Sequence, residues 1–325
     1  MNRCISSFAI LAFGTFCTWS TITMAAHSTI YSAPDKSAVF LGGIGYTWLK
    51  ANELVYDGGN RISKLIWQTN APVLTAGFKA DVMNRWTFSA NALVGFSGNS
   101  HMVDYDWVAP YSVDDDDWVA PSFAAADWWH QSIHPDTHLD RYISLDMAVG
   151  RDVVINDATA INLHGGFKYT NVMWSAYGGS FVHSEIRFRD TRGKFQDGEL
   201  GISYEQRYPG VFLGAESITK FGNLTLSGLL RGGLTIDAND IDHHWTGKPR
   251  LFEDAFGVIP FISVGAKADF QMTERASLFL AGNFDKYFRQ KGDTTMWGAK
   301  SAIFKDGAGM EFYAFTVSAG FKLTF

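Results

Sequence analysis

Two short stretches of this sequence carry ionisable side chains at strand spacing. In "MVDYDW", Asp104 and Asp106 flank Tyr105, and in "ANDIDHHW", Asp240, Asp242 and His244 alternate with Ile241 and His243. In an extended chain, residues i and i+2 share a face and lie about 6.5–7 Å apart. Asp104 and Asp106 therefore point one way, and Val103, Tyr105 and Trp107 the other. Two like charges this close raise one another's pKa, and a carboxylate beside a histidine raises that of the imidazole. Groups of this kind can hold a water molecule and accept its proton. The spacing alone fits a solvated acidic rim or an adventitious cation site better than it fits catalysis.

Other chemistry leaves no trace in the sequence. It contains no G-x-S-x-G, H-E-x-x-H, P-loop or G-x-G-x-x-G pattern. "HPDTH" sets His134 and His138 four apart, but Pro135 argues against a helix presenting both, and the segment reads as a structural loop. The acidic run at 114–117 reads as a solvated loop.

The elements that position these groups follow from composition and periodicity. Residues 1–25 have the pattern of a secretory signal peptide: a basic start at Arg3, an apolar run, and small residues that allow cleavage after Ala25 or Ala26. Cys4 and Cys17 are the only cysteines, and both fall inside that segment. The mature chain, 26–325, is then expected to hold no disulfide and no cysteine metal site, and no metal is expected. Net charge is −6 with no basic stripe, which argues against nucleic acid as a partner. Beyond the signal no apolar run reaches the ~18 residues of a membrane helix. With 15% aromatic residues and 32 glycines against 18% charged residues, an exported chain of this kind is a soluble β protein or a membrane barrel.

The far end favours the barrel. In "YAFTVSAGFKLTF", Tyr313, Phe315, Val317, Ala319, Phe321, Leu323 and Phe325 share one face, while Thr316, Ser318, Lys322 and Thr324 share the other. The same alternation recurs at 86–94, 143–150 and 262–270. One face suits lipid and the other a wet interior, and closure removes the edges that lipid cannot satisfy. The expected fold class is an all-β transmembrane antiparallel barrel in one domain, 26–325.

One conflict of parity needs resolving. Even-numbered residues face lipid at 86–94 and from Leu224 to Ile236, yet the even-numbered acids must face inward. An odd-residue break is therefore expected between 95 and 102, and another between 236 and 240.

With these segments in order, the chain resembles the omptin family, outer-membrane endopeptidases of Gram-negative bacteria that include plasminogen activators. The resemblance runs from near Phe40 to Phe325 and rests on "MVDYDW", "HPDTHL", "FRDTRGKFQDGE", "SYEQRY", "DIDHHW" and "DGAGMEFYAF". It implies a ten-stranded barrel whose extracellular loops form an active-site groove. It also implies that Asp104 and Asp106 pair across from an Asp242–His244 couple, with a water between them attacking the peptide carbonyl. Preference for a basic residue before the cut is implied to rest on Glu53, in "NELVY", and Asp240. The implied substrates are peptides and proteins bearing Arg or Lys, met from the bacterial outer membrane. The rival readings are a passive porin, which needs a wide conducting lumen, and an inactive adhesin, which would not depend on His244.

Two departures from the family stand out. "DWVAP" occurs at 106–110 and again at 117–121, and the first copy matches the motif. The family binds lipopolysaccharide through a Tyr/Glu/Arg cluster on the outer wall, where this chain has Phe167, Tyr169 and Asn171, and only Arg207 matches a family basic residue. Lipopolysaccharide is therefore expected to matter less here, and no other cofactor is implied.

Overall fold

A computed structural model describes residues 37–107, 127–185, 187–298 and 301–325. The expected signal peptide, the acidic run at 114–117 and the second "DWVAP" lie outside the described residues. The alternating segments become strands β1 (Ala38–Asp57), β2 (Asn60–Met83), β3 (Trp86–Gly95), β4 (Asn99–Asp106), β5 (His130–Val154), β6 (Thr159–Tyr177), β7 (Ser180–His183) and β8 (Thr191–Lys194). They continue as β9 (Leu200–Phe221), β10 (Leu224–Thr235), β11 (Ala238–His244), β12 (Arg250–Gly257), β13 (Pro260–Gln271), β14 (Ala276–Trp297) and β15 (Ala302–Thr324).

β1 pairs with β2 along one edge and with β15 along the other, so the antiparallel sheet closes on itself. Among the described residues the ring has ten positions: β1, β2, β3 continued by β4, β5, β6, β9, β10 continued by β11, β12 continued by β13, β14 and β15. The hairpin β7–β8 is added at the upper end of β5. Every spanning strand thus has both edges hydrogen-bonded, the condition for a sheet to cross a bilayer. One end carries tight connections, such as the turn at Asn84 and Arg85, both in the left-handed region (φ 52° and 66°). The other end carries the close of β4, the start of β5 and the 178–199 segment. Short periplasmic turns opposite long extracellular loops are the pattern of outer-membrane barrels.

The outward face of the lower half is exposed and apolar, with Ile44, Leu145, Leu213, Leu280 and Phe321 among its residues. The bore behind it is charged but neutralised: Lys168 pairs with Asp285 at 2.6 Å, Arg231 with Asp146 at 3.1 Å, and Lys267 and Lys322 with Asp269 at 3.2 and 3.3 Å. Above these pairs, Trp67, Trp174, Tyr204, Tyr208, Tyr287 and Phe312 are fully buried and fill the bore.

Both expected register breaks are present. Gly95 lies opposite Val73, and the next paired residue, Asn99, lies opposite Asn70, so four steps on one strand match three on its neighbour. Gly98 sits within the break, where a Cβ would meet the Asn70 carbonyl oxygen at 2.3 Å. On the far wall Thr235 lies opposite Gly210 and Asn239 opposite Arg207, again four steps against three. Asp237 takes the left-handed conformation there, with φ 57°. One extra residue reverses the faces of everything that follows.

The loop reading of "HPDTH" is corrected. His134 and His138 lie within β5, with His134 buried against Phe195 and His138 exposed beside Asp136. Pro135 is accommodated because pairing with β4 skips there, from Met102 opposite His134 to Ser100 opposite Thr137. Proline is tolerated in a sheet at such irregularities.

Candidate active site

The two strand segments beyond the register breaks face each other across the mouth of the barrel. β4 runs between β2 and β5, which places Asp104 opposite Leu65 and Ser132, and Asp106 opposite Ser63 and His130. Ser63 Oγ donates to Asp104 Oδ1 at 3.2 Å. On the other wall, β11 runs between β9 and β12, with Asp242 opposite Tyr204 and Phe252. His244 Nε2 lies 2.7 Å from Asp242 Oδ2. An ionised carboxylate only accepts, so in the neutral ring Nε2 carries the proton and Nδ1 keeps its lone pair. A cavity of about 260 Å³ lies between the walls, lined in part by Asp104, Asp106, His130, His183 and His244. A second cavity of about 280 Å³ lies deeper, among the already paired Asp146, Lys168, Arg231 and Asp285.

The two walls act on each other electrostatically. Burial and the neighbouring Asp106 charge push Asp104 well above the usual carboxylate range, and His244 partly opposes them. Asp106 is raised as well, chiefly by burial. Burial disfavours the imidazolium of His244, but the Asp242 charge, its hydrogen bond and the charge of Asp104 outweigh it, so the ring titrates above its ordinary value.

Glu53 and Asp240 sit at the same mouth. Both are buried. Trp67 Nε1 donates to Glu53 Oε2 at 3.3 Å, and Tyr204 Oη donates to Asp240 Oδ2 at 2.7 Å. The rings of Trp67 and Tyr204 stack at 5.7 Å, so one aromatic plate holds both acids. Burial, then the charges of Asp242, Asp240 and Asp254, raise Glu53 well above its usual range. The structure therefore brings together all six residues singled out in the sequence.

It also adds three that sequence reasoning missed. Asp254 on β12 lies directly opposite Asp240 and is buried. Burial is the main cause that pushes its pKa up to about 6. His130 and His183 pack edge to face at 5.0 Å beside the aspartate pair. In "LFEDAF" a lone inward acid has no periodic signal to mark it, and His130 precedes a stretch that reads as loop. Among the described residues no three His, Cys, Asp or Glu side chains are arranged to hold a metal ion.

A family model described as the Omptin family matches residues 36–325. The chain belongs to the omptin family. This omptin is 27% identical to Protease 7 of Escherichia coli O157:H7 over 313 residues, which cover 93% of this chain and 95% of that protein. It is 24% identical to the plasminogen activator of Yersinia pestis over 301 residues, covering 90% and 91%. Its fold matches the crystal structure of the outer membrane protease OmpT from Escherichia coli with a TM-score of 0.81 at 25% identity, over 91% of this chain and 99% of that one. The chain is thus a protease of the bacterial outer membrane, with its site at the extracellular end.

On the outer wall of this omptin, Asn171 Nδ2 donates to Glu205 Oε1 at 2.7 Å. Arg141 pairs with the same oxygen at 2.8 Å, and Arg207 pairs with Oε2 at 2.5 Å. The two arginines of that wall therefore share one carboxylate.

The electrostatics can be checked without any assay of activity. In the refolded barrel, the His244 ring should titrate above about 6.5 by NMR, and Asp242→Asn should lower that value. A His244 titration unmoved by Asp242→Asn would mean the carboxylate does not govern the ring.

Proposed function

We propose that this omptin is an aspartyl-type endopeptidase that hydrolyses peptide bonds at arginine and lysine. Asp104 and Asp106 hold the attacking water. His244 Nδ1 removes its proton as the oxygen attacks the carbonyl carbon, and the imidazolium then protonates the leaving amine. Asp242 fixes the ring through Nε2 and stabilises its charged form. Glu53 and Asp240 receive the basic side chain of the substrate, since carboxylates bind guanidinium and ammonium through charge-assisted hydrogen bonds.

The observation that carries this reading is geometric: Asp104, Asp106 and His244 line one cavity between the two walls, and Asp242 is bonded to the His244 ring. A porin reading fares worse, because the buried aromatic layer fills the bore below the acids.

We further propose that activity does not require lipopolysaccharide. The positions that carry the family cluster hold Phe167, Tyr169 and Asn171, and Glu205 already takes up Arg141 and Arg207. Protein refolded in lipopolysaccharide-free detergent should cleave peptides measurably. Inactivity reversed by adding lipopolysaccharide would show that another patch serves it.

Two variants should fail in different ways on a peptide library. His244→Ala removes the base and should slow cleavage of every peptide by about 10²–10⁴-fold. Glu53→Lys should spare the chemistry and abolish preference for Arg and Lys, because a buried like charge repels the substrate side chain. Near-wild-type turnover by a folded His244→Ala barrel would overturn the mechanism and favour an inactive adhesin.

A further inference from the structure

The buried acids of this barrel differ in what neutralises them. Asp146, Asp269 and Asp285, deep in the bore, each pair with lysine or arginine. Among the described residues, Glu53, Asp240 and Asp254 form no ion pair with any lysine, arginine or histidine, although each is more than nine-tenths buried. Oδ1 of Asp240 and Oδ1 of Asp254 are both buried with no donor to satisfy them. The two residues are direct cross-strand neighbours, and two carboxyl groups so placed destabilise a sheet unless one holds a proton or a cation joins them. Buried carboxylates normally keep a cation or a full set of hydrogen-bond donors, and neither Asp240 nor Asp254 has a cation. A cation supplied from outside the chain would satisfy them.

We propose that Asp254 is a third specificity-determining acid of the basic-residue pocket, and that with Glu53 and Asp240 it makes the pocket select arginine over lysine. This rests on the reading of Glu53 and Asp240 given above and adds a residue to it. The selectivity follows from donor geometry. A guanidinium is planar and carries five N–H donors in a fixed fork, whereas an ammonium is a compact charge with three. Trp67 and Tyr204 occupy Glu53 Oε2 and Asp240 Oδ2, which leaves the other carboxyl oxygen of each acid for a ligand. Asp254 adds a third direction of approach. A fork can serve several acceptors at once from one position, and a point charge cannot do so equally well.

The test compares cleavage of three matched peptides, with arginine, lysine or citrulline at the recognised position, by refolded wild type and Asp254→Asn. Citrulline keeps the shape of arginine without its charge. Wild type should prefer arginine over lysine, and both over citrulline. In Asp254→Asn the arginine-to-lysine ratio of kcat/KM should fall about 10-fold or more, while cleavage of the citrulline peptide is retained. Heat-modifiable gel migration confirms that the barrel has formed, and Asp254→Ser serves if the asparagine variant does not fold. An unchanged arginine-to-lysine ratio in a folded variant overturns the role of Asp254 alone. Equal cleavage of arginine and citrulline peptides by wild type overturns the basic pocket itself, and Asp254's role with it.

Discussion

One extra residue in each of two strands turns both acid-bearing stretches into the mouth of this barrel. A strand alternates faces with a period of two, so a closed barrel that keeps lipid-facing residues in phase would send Asp104, Asp106, Asp240, Asp242 and His244 into the outer wall. The breaks at 96–98 and 236–237 shift that phase just above the apolar band. Below them the strands obey the bilayer. Above them the same strands obey the site. The ladder resumes beyond each break, so the reversal costs only a few hydrogen bonds.

The reversal places carboxylates where burial is expensive. In the bore, lysines and arginines offset that expense, whereas at the mouth the offset comes only in part from Ser63, Trp67, Tyr204 and His244. The aromatic plate of Trp67, Tyr204 and Trp174 gives those donors a rigid base, with ring separations of 5.7 and 6.0 Å. Buried charge without a matching cation weakens a fold. It also prepares a site for a cationic ligand, because the attraction is formed in advance and needs no rearrangement.

Much of this was legible in the sequence because strand spacing is local. Asp104 and Asp106, and then Asp240, Asp242 and His244, declare their common face by alternation, and parity alone located both register breaks. Glu53 was different. It is a single acid between apolar neighbours, and only resemblance to a family picked it out. Its company with Asp240 depends on how the ring closes, which no local pattern encodes. Asp254 was silent for the same reason: its meaning lies in standing opposite Asp240. The "HPDTH" segment misled because proline usually ends a strand, and the irregularity that tolerates it involves the partner strand β4.

The central claim is that the aspartate pair and the aspartate–histidine couple serve one water molecule. A double-mutant cycle on kcat/KM tests it most directly, using Asp104→Asn, Asp242→Asn and the double variant in refolded barrels. Groups that act as a unit lose most of their effect with the first removal. With a shared water, the double variant should be about as slow as the slower single one. Losses that multiply would mean two independent contributions and would contradict a shared water.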